Sequence, residues 1–162
     1  MTARDLTKLY EFTYLSMSRN LEGLTHEESL ISGQPAGNSI NWVLGHVVST
    51  RSFILKLAGV DQTSDEKLGR YVRGSEPLGG GETALDLAEL RGMLDNSQQQ
   101  LLPALREISQ ATLDSPVPES MRFPAAVATI GDALARLAAH ESYHNGQLGL
   151  LRRMVGKAGA IR

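Results

Sequence analysis

The stretch AHESYHNGQLGLLRRM, residues 139–154, decides the fold of this 162-residue chain. Its apolar residues recur at helical spacing, and Leu148 and Leu151 continue the face that carries His140 and His144. The two histidines are four residues apart, so they project from the same side of a helix. We therefore predict a long last helix whose apolar face carries two imidazoles.

Three other segments have the same helical period, and none of useful length alternates with period two. The four predicted helices span about residues 3–21, 39–58, 83–108 and 129–155. The loop after the first of them holds turn formers with room for one short helical turn. Four amphipathic helices in one chain predict an all-α fold, a four-helix bundle, formed by a single domain over residues 1–162.

One apolar stripe on each helix predicts the core of the bundle. The predicted stripes are Leu6, Leu9, Thr13, Met17 and Leu21; Val43, His46, Thr50, Phe53 and Leu57; Leu87, Leu90, Leu94, Leu101, Leu105 and Ile108; and Ala133, Leu137, Leu148 and Leu151. Pro103 falls inside the third helix, where the missing N–H is expected to kink or interrupt it. Thr129 and Asp132 have the spacing of a cap at the start of the last helix.

The composition excludes several classes of function. The chain has no cysteine, so disulfides, thiolate ligands and a cysteine nucleophile are ruled out. The formal net charge of −2 gives no attraction to nucleic acid, and no basic cluster offsets it. The N-terminal residues lack the pattern of a signal peptide, and no apolar run is long enough for a membrane span. A cytoplasmic protein that contacts neither nucleic acid nor membrane is expected.

The histidines are the candidate functional residues. His46 lies on the apolar stripe of the second helix, so His46, His140 and His144 should all point into the bundle. Each could be a core histidine with a hydrogen-bond partner. Three together favour a metal site, because clustered neutral imidazoles are ready ligands for zinc, nickel or copper. The fourth, His26, lies in the polar segment LTHEE and is expected to be exposed to solvent.

The motif HExxH, formed by His140, Glu141 and His144, also occurs in zinc proteases. A zinc protease needs a third ligand after the pair, and no histidine, aspartate or glutamate follows His144 in this chain. A protease fold is therefore rejected, and the third ligand must come from upstream, where His46 is the candidate.

Two neighbours of the histidine pair have predicted places. Glu141 is rotated about 100° from the ligand direction of His140. We expect a surface glutamate, with a place beside the metal as the alternative. Gln147 shares the face of His144 and could orient that histidine or form a structural bond between helices.

Other residues have weaker claims to a role at the site. Arg152 and Arg153 end the last helix, where cations favour the helix dipole; one of them could instead hold a substrate carboxylate. Trp42 and Tyr143 are expected to pack in the core, or else to line a pocket. The linker at residues 59–82 is expected to border that pocket.

The segments NSINWVLGHV (38–47) and AHESYHNGQLGLLRRMVG (139–156) resemble the DinB-like (DinB/YfiT-like) family of metalloenzymes. Its members have one histidine in an apolar helix, followed far downstream by a histidine pair, a Gly-Gln step and a helix end with two arginines. The segments at 23–40 and 112–118 also resemble the family, so the resemblance spans nearly the whole chain.

The resemblance implies a four-helix bundle in a mirror variant of the up-and-down topology. It also implies one divalent metal ion, zinc or nickel, held by His46, His140 and His144, and it implies a homodimer. Characterised relatives include S-transferases that use low-molecular-weight thiols, such as bacillithiol or mycothiol, and a mycothiol-dependent maleylpyruvate isomerase.

Three hypotheses for function follow. An open site of three histidines is of the catalytic type and could activate an external thiol for transfer to a small electrophile. The same site could support hydrolysis of a small-molecule substrate by a metal-bound water, either alone or with Glu141 as a base. Alternatively, the bundle is a non-catalytic protein that binds a metal or a small ligand, or a helical interaction module.

Overall fold

Four long helices form the bundle in a computed structural model that describes residues 1–33, 37–61, 65–75, 78, 84–121, 123–124 and 126–160. The long helices are α1 (Ala3–Leu21), α3 (Ile40–Leu57), α4 (Leu87–Glu107) and α6 (Ile130–Met154). Two short helices, α2 (His26–Leu30) and α5 (Gln110–Asp114), and two 3₁₀ turns, Glu66–Tyr71 and Glu119–Met121, lie in the connections. The prediction of an all-α four-helix bundle, with a short helical turn after the first helix, is confirmed.

The helix ends follow from local capping. The Thr129 hydroxyl accepts from the Asp132 N–H, and the Asp132 carboxylate accepts from the Thr129 N–H, so the predicted cap of α6 is confirmed. Asp86 caps α4 through the N–H of Ala88, at 2.7 Å. The earlier start that we predicted for this helix, Thr83, lies outside the described residues. 

Helix α4 is continuous across Pro103 and ends at Glu107, so the expected interruption does not occur. Pro103 sits near the end of the helix, where its missing N–H removes one backbone hydrogen bond from the ladder. The fully buried Leu101 and Leu105 on either side hold this last turn against the core.

Helices α1 and α6 lie side by side and run in the same direction. The Tyr10 hydroxyl donates to the Leu134 carbonyl at 2.8 Å, and the Asn20 amide donates to the Asn145 side chain, also at 2.8 Å. Both helices therefore advance together from one end of the bundle to the other.

Helices α3 and α4 are also parallel neighbours. The Asn41 amide donates to the Leu85 carbonyl at 2.8 Å, and Arg51 donates to the Gln98 side chain at 2.7 Å. Among the described residues between these helices, the 3₁₀ turn Glu66–Tyr71 packs against α3. In chain order the long helices run up, down, down and up. The resemblance implied a mirror variant of the up-and-down topology and did not specify this order.

The predicted stripes mostly form the core, with two corrections. Leu9 and Phe53 are 38% and 53% exposed, and the next residues, Tyr10 and Ile54, are fully buried in their place. Each long helix packs against two others, so its buried face is directed between these two neighbours rather than at one of them. In the described ranges, no helix combines the length and apolarity needed to cross a membrane.

Candidate metal centre

The structure brings His46 of α3 together with His140 and His144 of α6. The Nε2 atom of His140 lies 3.2 Å from Nε2 of His46 and 3.0 Å from Nε2 of His144. Because α3 and α6 are antiparallel neighbours, one residue from α3 meets two residues one turn apart on α6. The three residues predicted from the sequence as a ligand set therefore form one cluster.

Hydrogen bonds at the far side of two rings fix their orientation. The Nδ1 atom of His46 lies 2.8 Å from the Tyr71 carbonyl, which can only accept, so Nδ1 carries the proton. The Nδ1 atom of His144 lies 2.7 Å from Oε1 of Gln147. Each bond leaves an unprotonated Nε2 facing the cluster, as in metal-binding histidines with an orienting partner. This hydrogen bond supports the prediction that Gln147 orients His144, rather than the alternative of a bond between helices.

Aromatic packing also holds the imidazole of His46. Trp42 is buried, one helical turn before His46, and its ring stacks on the imidazole with centroids 5.0 Å apart and planes 10° apart. The indole N–H donates to the Ser75 hydroxyl at 3.2 Å. The expectation that Trp42 packs in the core is confirmed.

The third ring, His140, has no protein partner for its buried Nδ1 among the described residues. Its Nε2 lies within hydrogen-bonding distance of the Nε2 atoms of both other histidines, so three Nε2 atoms converge. Converging lone pairs repel one another unless a proton or a cation lies between them. The donor set therefore fits a divalent ion that prefers imidazole ligands, and the three histidines could hold such an ion.

The pKa values at the site favour neutral imidazoles. Burial, followed by the charges of His144 and His46, lowers the pKa of His140 from 6.5 to about 4. Burial also lowers the pKa of His144, although the hydrogen bond to Gln147 opposes this effect. At neutral pH both rings are therefore neutral imidazoles, with one nitrogen free to accept, and this is the form that binds metal.

Glu141 is not on the surface, and the expectation of a surface glutamate is wrong. Its side chain is completely buried and accepts from the Arg51 guanidinium at 2.8 and 3.0 Å. The Thr13 hydroxyl donates to the same carboxylate at 2.9 Å. Arg51 comes from a different helix, so the sequence near Glu141 gave no indication of this partner. With its oxygens engaged by Arg51, Glu141 is neither a free base nor a fourth ligand.

The Arg51–Glu141 pair belongs to a buried polar network that joins all four long helices. Arg51 also donates to Gln98 at 2.7 Å and to Ser97 at 3.2 Å. The Gln98 amide donates in turn to the Tyr10 carbonyl at 3.3 Å. This network is adjacent to the histidine cluster, because Glu141 directly follows His140 in α6.

An open cavity of ≈ 380 Å³ adjoins the cluster. It is lined by His46, Ser49, Thr50, Phe53, Val72, Arg73, Met121, Phe123 and Leu137. Val72 and Arg73 follow the 3₁₀ turn at Glu66–Tyr71, so the linker borders this cavity, as expected from the sequence. Arg73 and the apolar lining had not been identified from the sequence, since no local pattern links residues 72–73 or 121–123 to His46.

The terminal arginines of α6 lie away from this cavity. Arg152 donates to the carbonyls of Asn20, Glu22 and Ala158, so it ties the ends of α1 and α6 together. Arg153 is exposed and lines a separate groove between α1 and α6. Neither arginine is placed to hold a substrate in the cavity beside the histidines. The contacts of Arg152 with backbone carbonyls support a structural role for this residue at the helix end.

Two other predicted positions need correction. Tyr143 is 65% exposed and does not pack in the core; the edge of its ring contacts the imidazole of His144, with centroids 5.2 Å apart. His26 begins α2, and its side chain is only 29% exposed. The N–H of Leu87 points to Nδ1 of His26 at 3.3 Å, so this histidine helps to join α2 to α4.

The fold is an all-α bundle, and three imidazoles converge between two of its antiparallel helices. These two features define the class of the protein as a helical bundle with a candidate metal centre. The family model of the DinB superfamily matches residues 10–148, and the chain belongs to that superfamily. The crystal structure of a conserved protein from Enterococcus faecalis has the same fold, with a TM-score of 0.68 and 16% identity, over 96% of this chain and 98% of that chain. No curated protein matches the sequence.

Proposed function

We propose that this protein is a divalent-metal-dependent enzyme that transfers a thiol to a small electrophile. The observation that carries the proposal is the convergence of three Nε2 atoms at the edge of a largely apolar cavity that shares His46. A divalent ion bound there would act as a Lewis acid and lower the pKa of a thiol or water that coordinates it. Three protein ligands leave a position open for such a group, as in catalytic rather than structural sites.

The residues of the chain have distinct tasks in this proposal. His46, His140 and His144 would hold the ion, zinc or nickel, while the Tyr71 carbonyl and Gln147 keep two of the rings in the ligating orientation. The apolar lining of the cavity would exclude water from the electrophile. Because the chain has no cysteine, the thiol must be a separate molecule, and the resemblance favours a low-molecular-weight thiol such as bacillithiol or mycothiol.

Thiol transfer is favoured over base-assisted hydrolysis because the candidate base, Glu141, is engaged in an ion pair with Arg51. Hydrolysis assisted by a general base would use Glu141, whose carboxylate is held by Arg51 and Thr13. None of the described residues that line the cavity carries a carboxylate. A metal-bound thiol or a metal-bound water would ionise without such a base, so the preference for a thiol over water rests on the family resemblance.

Elemental mass spectrometry on tag-free protein tests the proposal first, with His144→Ala as the site variant and His26→Ala as the matched control. Near-stoichiometric zinc or nickel in the parent and in His26→Ala, but not in His144→Ala, is the expected result. Turnover of a halogenated nitrobenzene or a bimane is then measured with a panel of thiols. If metal-loaded protein turns over neither electrophile with any thiol, the transferase proposal fails.

The partners and location belong to the same proposal. We propose a small-molecule substrate, a cytoplasmic location and a homodimer, with neither nucleic acid nor membrane as a partner. Phe12 and Leu150, 61% and 62% exposed, line a groove between α1 and α6 where a second copy would bury apolar surface. Sedimentation velocity of the parent and of Phe12→Glu checks the oligomeric state.

A further inference from the structure

We propose that the cavity beside the histidines accepts a small anionic substrate, an apolar body with a carboxylate, and that Arg73 binds the carboxylate. The proposal rests on the proposed function, because it names the substrate class of the same site. Arg73, in the linker, would select for negative charge, and the apolar walls of the cavity would select for the shape of the substrate.

The lining of the cavity separates into an apolar part and a cationic part. Five of its side chains are apolar: Phe53, Val72, Met121, Phe123 and Leu137. Arg73 is the one charged residue among the described lining residues. A volume of ≈ 380 Å³ suits a single ring or a short acyl chain, which the apolar walls would cover.

Arg73 differs from the arginines that have structural partners. Arg51 is paired with Glu141, Arg106 with Glu11, and Arg152 with backbone carbonyls. Arg73 is exposed, and within the described part of the chain it makes no hydrogen bond or ion pair. An unpaired guanidinium at the edge of an apolar cavity offers the planar two-point geometry that a carboxylate matches.

The backbone that places Arg73 also orients the histidine cluster. Tyr71, two residues earlier, accepts from His46 through its carbonyl. The Tyr71 side chain is fixed as well, since its hydroxyl donates to Asn41 at 2.9 Å and accepts from the Leu85 N–H at 2.8 Å. Arg73 therefore follows an anchored residue, and its side chain starts from a defined position beside His46.

The electrostatic surroundings also favour an anion. Arg136 lies one turn before His140 on α6, is exposed, and is next to Leu137, which lines the cavity. The nearest acid in α6, Glu141, is neutralised by Arg51. With Arg73 lining the cavity and Arg136 next to a residue that lines it, the local field would draw anionic molecules toward the cavity.

The test compares two probes of the same shape, 4-fluorophenylacetate and 4-fluorophenylacetamide, whose binding is followed by fluorine NMR. Both are titrated into metal-free and zinc-loaded protein, for the parent, Arg73→Gln and Arg73→Lys. Arg4→Gln is the control, because Arg4 is an exposed arginine in the first turn of α1 and is not among the residues that line the cavity. Circular dichroism spectra show that each variant is folded.

We expect the parent to bind the carboxylate more tightly than the amide, and Arg73→Gln to lose roughly five- to tenfold of that preference in both metal states. Arg73→Lys should retain part of it, and Arg4→Gln all of it. The inference is overturned if the preference survives Arg73→Gln, if Arg4→Gln removes it equally, or if neither probe binds at the limit of its solubility.

The metal states separate this inference from the proposed function. A preference that appears only with zinc and does not depend on Arg73 would mean that the ion binds the carboxylate, and the role of Arg73 would be wrong. A preference that depends on Arg73 in protein that takes up no zinc would support the anion site while the metalloenzyme proposal fails.

Discussion

Glu141 and Arg51 form a two-point ion pair in which both side chains are completely removed from solvent. The N–O distances are 2.8 and 3.0 Å, and Thr13, Ser97 and Gln98 satisfy further polar atoms of the pair. Glu141 is thus the structural member of its HExxH sequence. Its task is to set the packing of α6 against α3, which also sets where His140 and His144 face His46.

Glu141→Gln should destabilise the protein strongly. The substitution leaves the Arg51 guanidinium buried without a counter-charge, and breaking one side of a buried pair costs about 3–5 kcal/mol. Urea unfolding, followed by circular dichroism, measures the loss. Glu107→Gln, at an exposed position at the end of α4, is the control and should change the free energy of unfolding by less than about 0.5 kcal/mol.

The double variant Arg51→Met/Glu141→Leu separates the charge effect from packing. Removing both charges eliminates the unpaired guanidinium, so much of the lost stability should return. If Glu141→Gln unfolds at the same urea concentration as the parent, the pair does not hold α3 and α6 together.

Gln147→Ala should weaken metal binding without large loss of stability. Gln147 accepts from Nδ1 of His144 at 2.7 Å and is only partly buried. Loss of such an orienting partner typically reduces metal affinity about 10- to 100-fold. Competition with a chromophoric zinc chelator measures the change, and Gln99→Ala, at an exposed position of α4, should leave the affinity unaltered. Equal affinities of Gln147→Ala and the parent would exclude the orienting role.

The stability of the metal-free protein should fall in acid in part through His140. Its pKa is about 4 in the folded protein and 6.5 in an ordinary environment, so the unfolded chain binds more protons between these values. Stability from this group is therefore fully present above about pH 6.5 and is lost as the pH falls toward 4. Urea unfolding across this range, in chelator, should show a shallower decline for His140→Gln than for the parent. Identical slopes would contradict the lowered pKa.

The sequence was sufficient for the helices and the histidine cluster, because both depend on local spacing. An apolar face at helical period places His140 and His144 on one side of α6, and His46 on the inside of α3. Glu141 could not be placed in this way, since its burial depends on Arg51, ninety residues earlier in the chain. The same applies to Arg73, whose place beside His46 depends on the packing of the 3₁₀ turn Glu66–Tyr71 against α3 rather than on any local pattern.

Gly45→Ala should disturb the site through Tyr71. A Cβ atom at Gly45 would overlap the Tyr71 ring, which is fully buried and fixed at its hydroxyl by Asn41 and Leu85. The ring must move, and with it the carbonyl that orients His46, so we expect a loss of about 1–3 kcal/mol in stability and weaker zinc binding. Gly92→Ala is the matched control: it lies in α4 with nothing near its Cβ position, and it should gain about 0.5–1 kcal/mol. Urea unfolding and chelator competition measure both variants. A Gly45→Ala protein that behaves like Gly92→Ala would show that Tyr71 does not hold His46 in place.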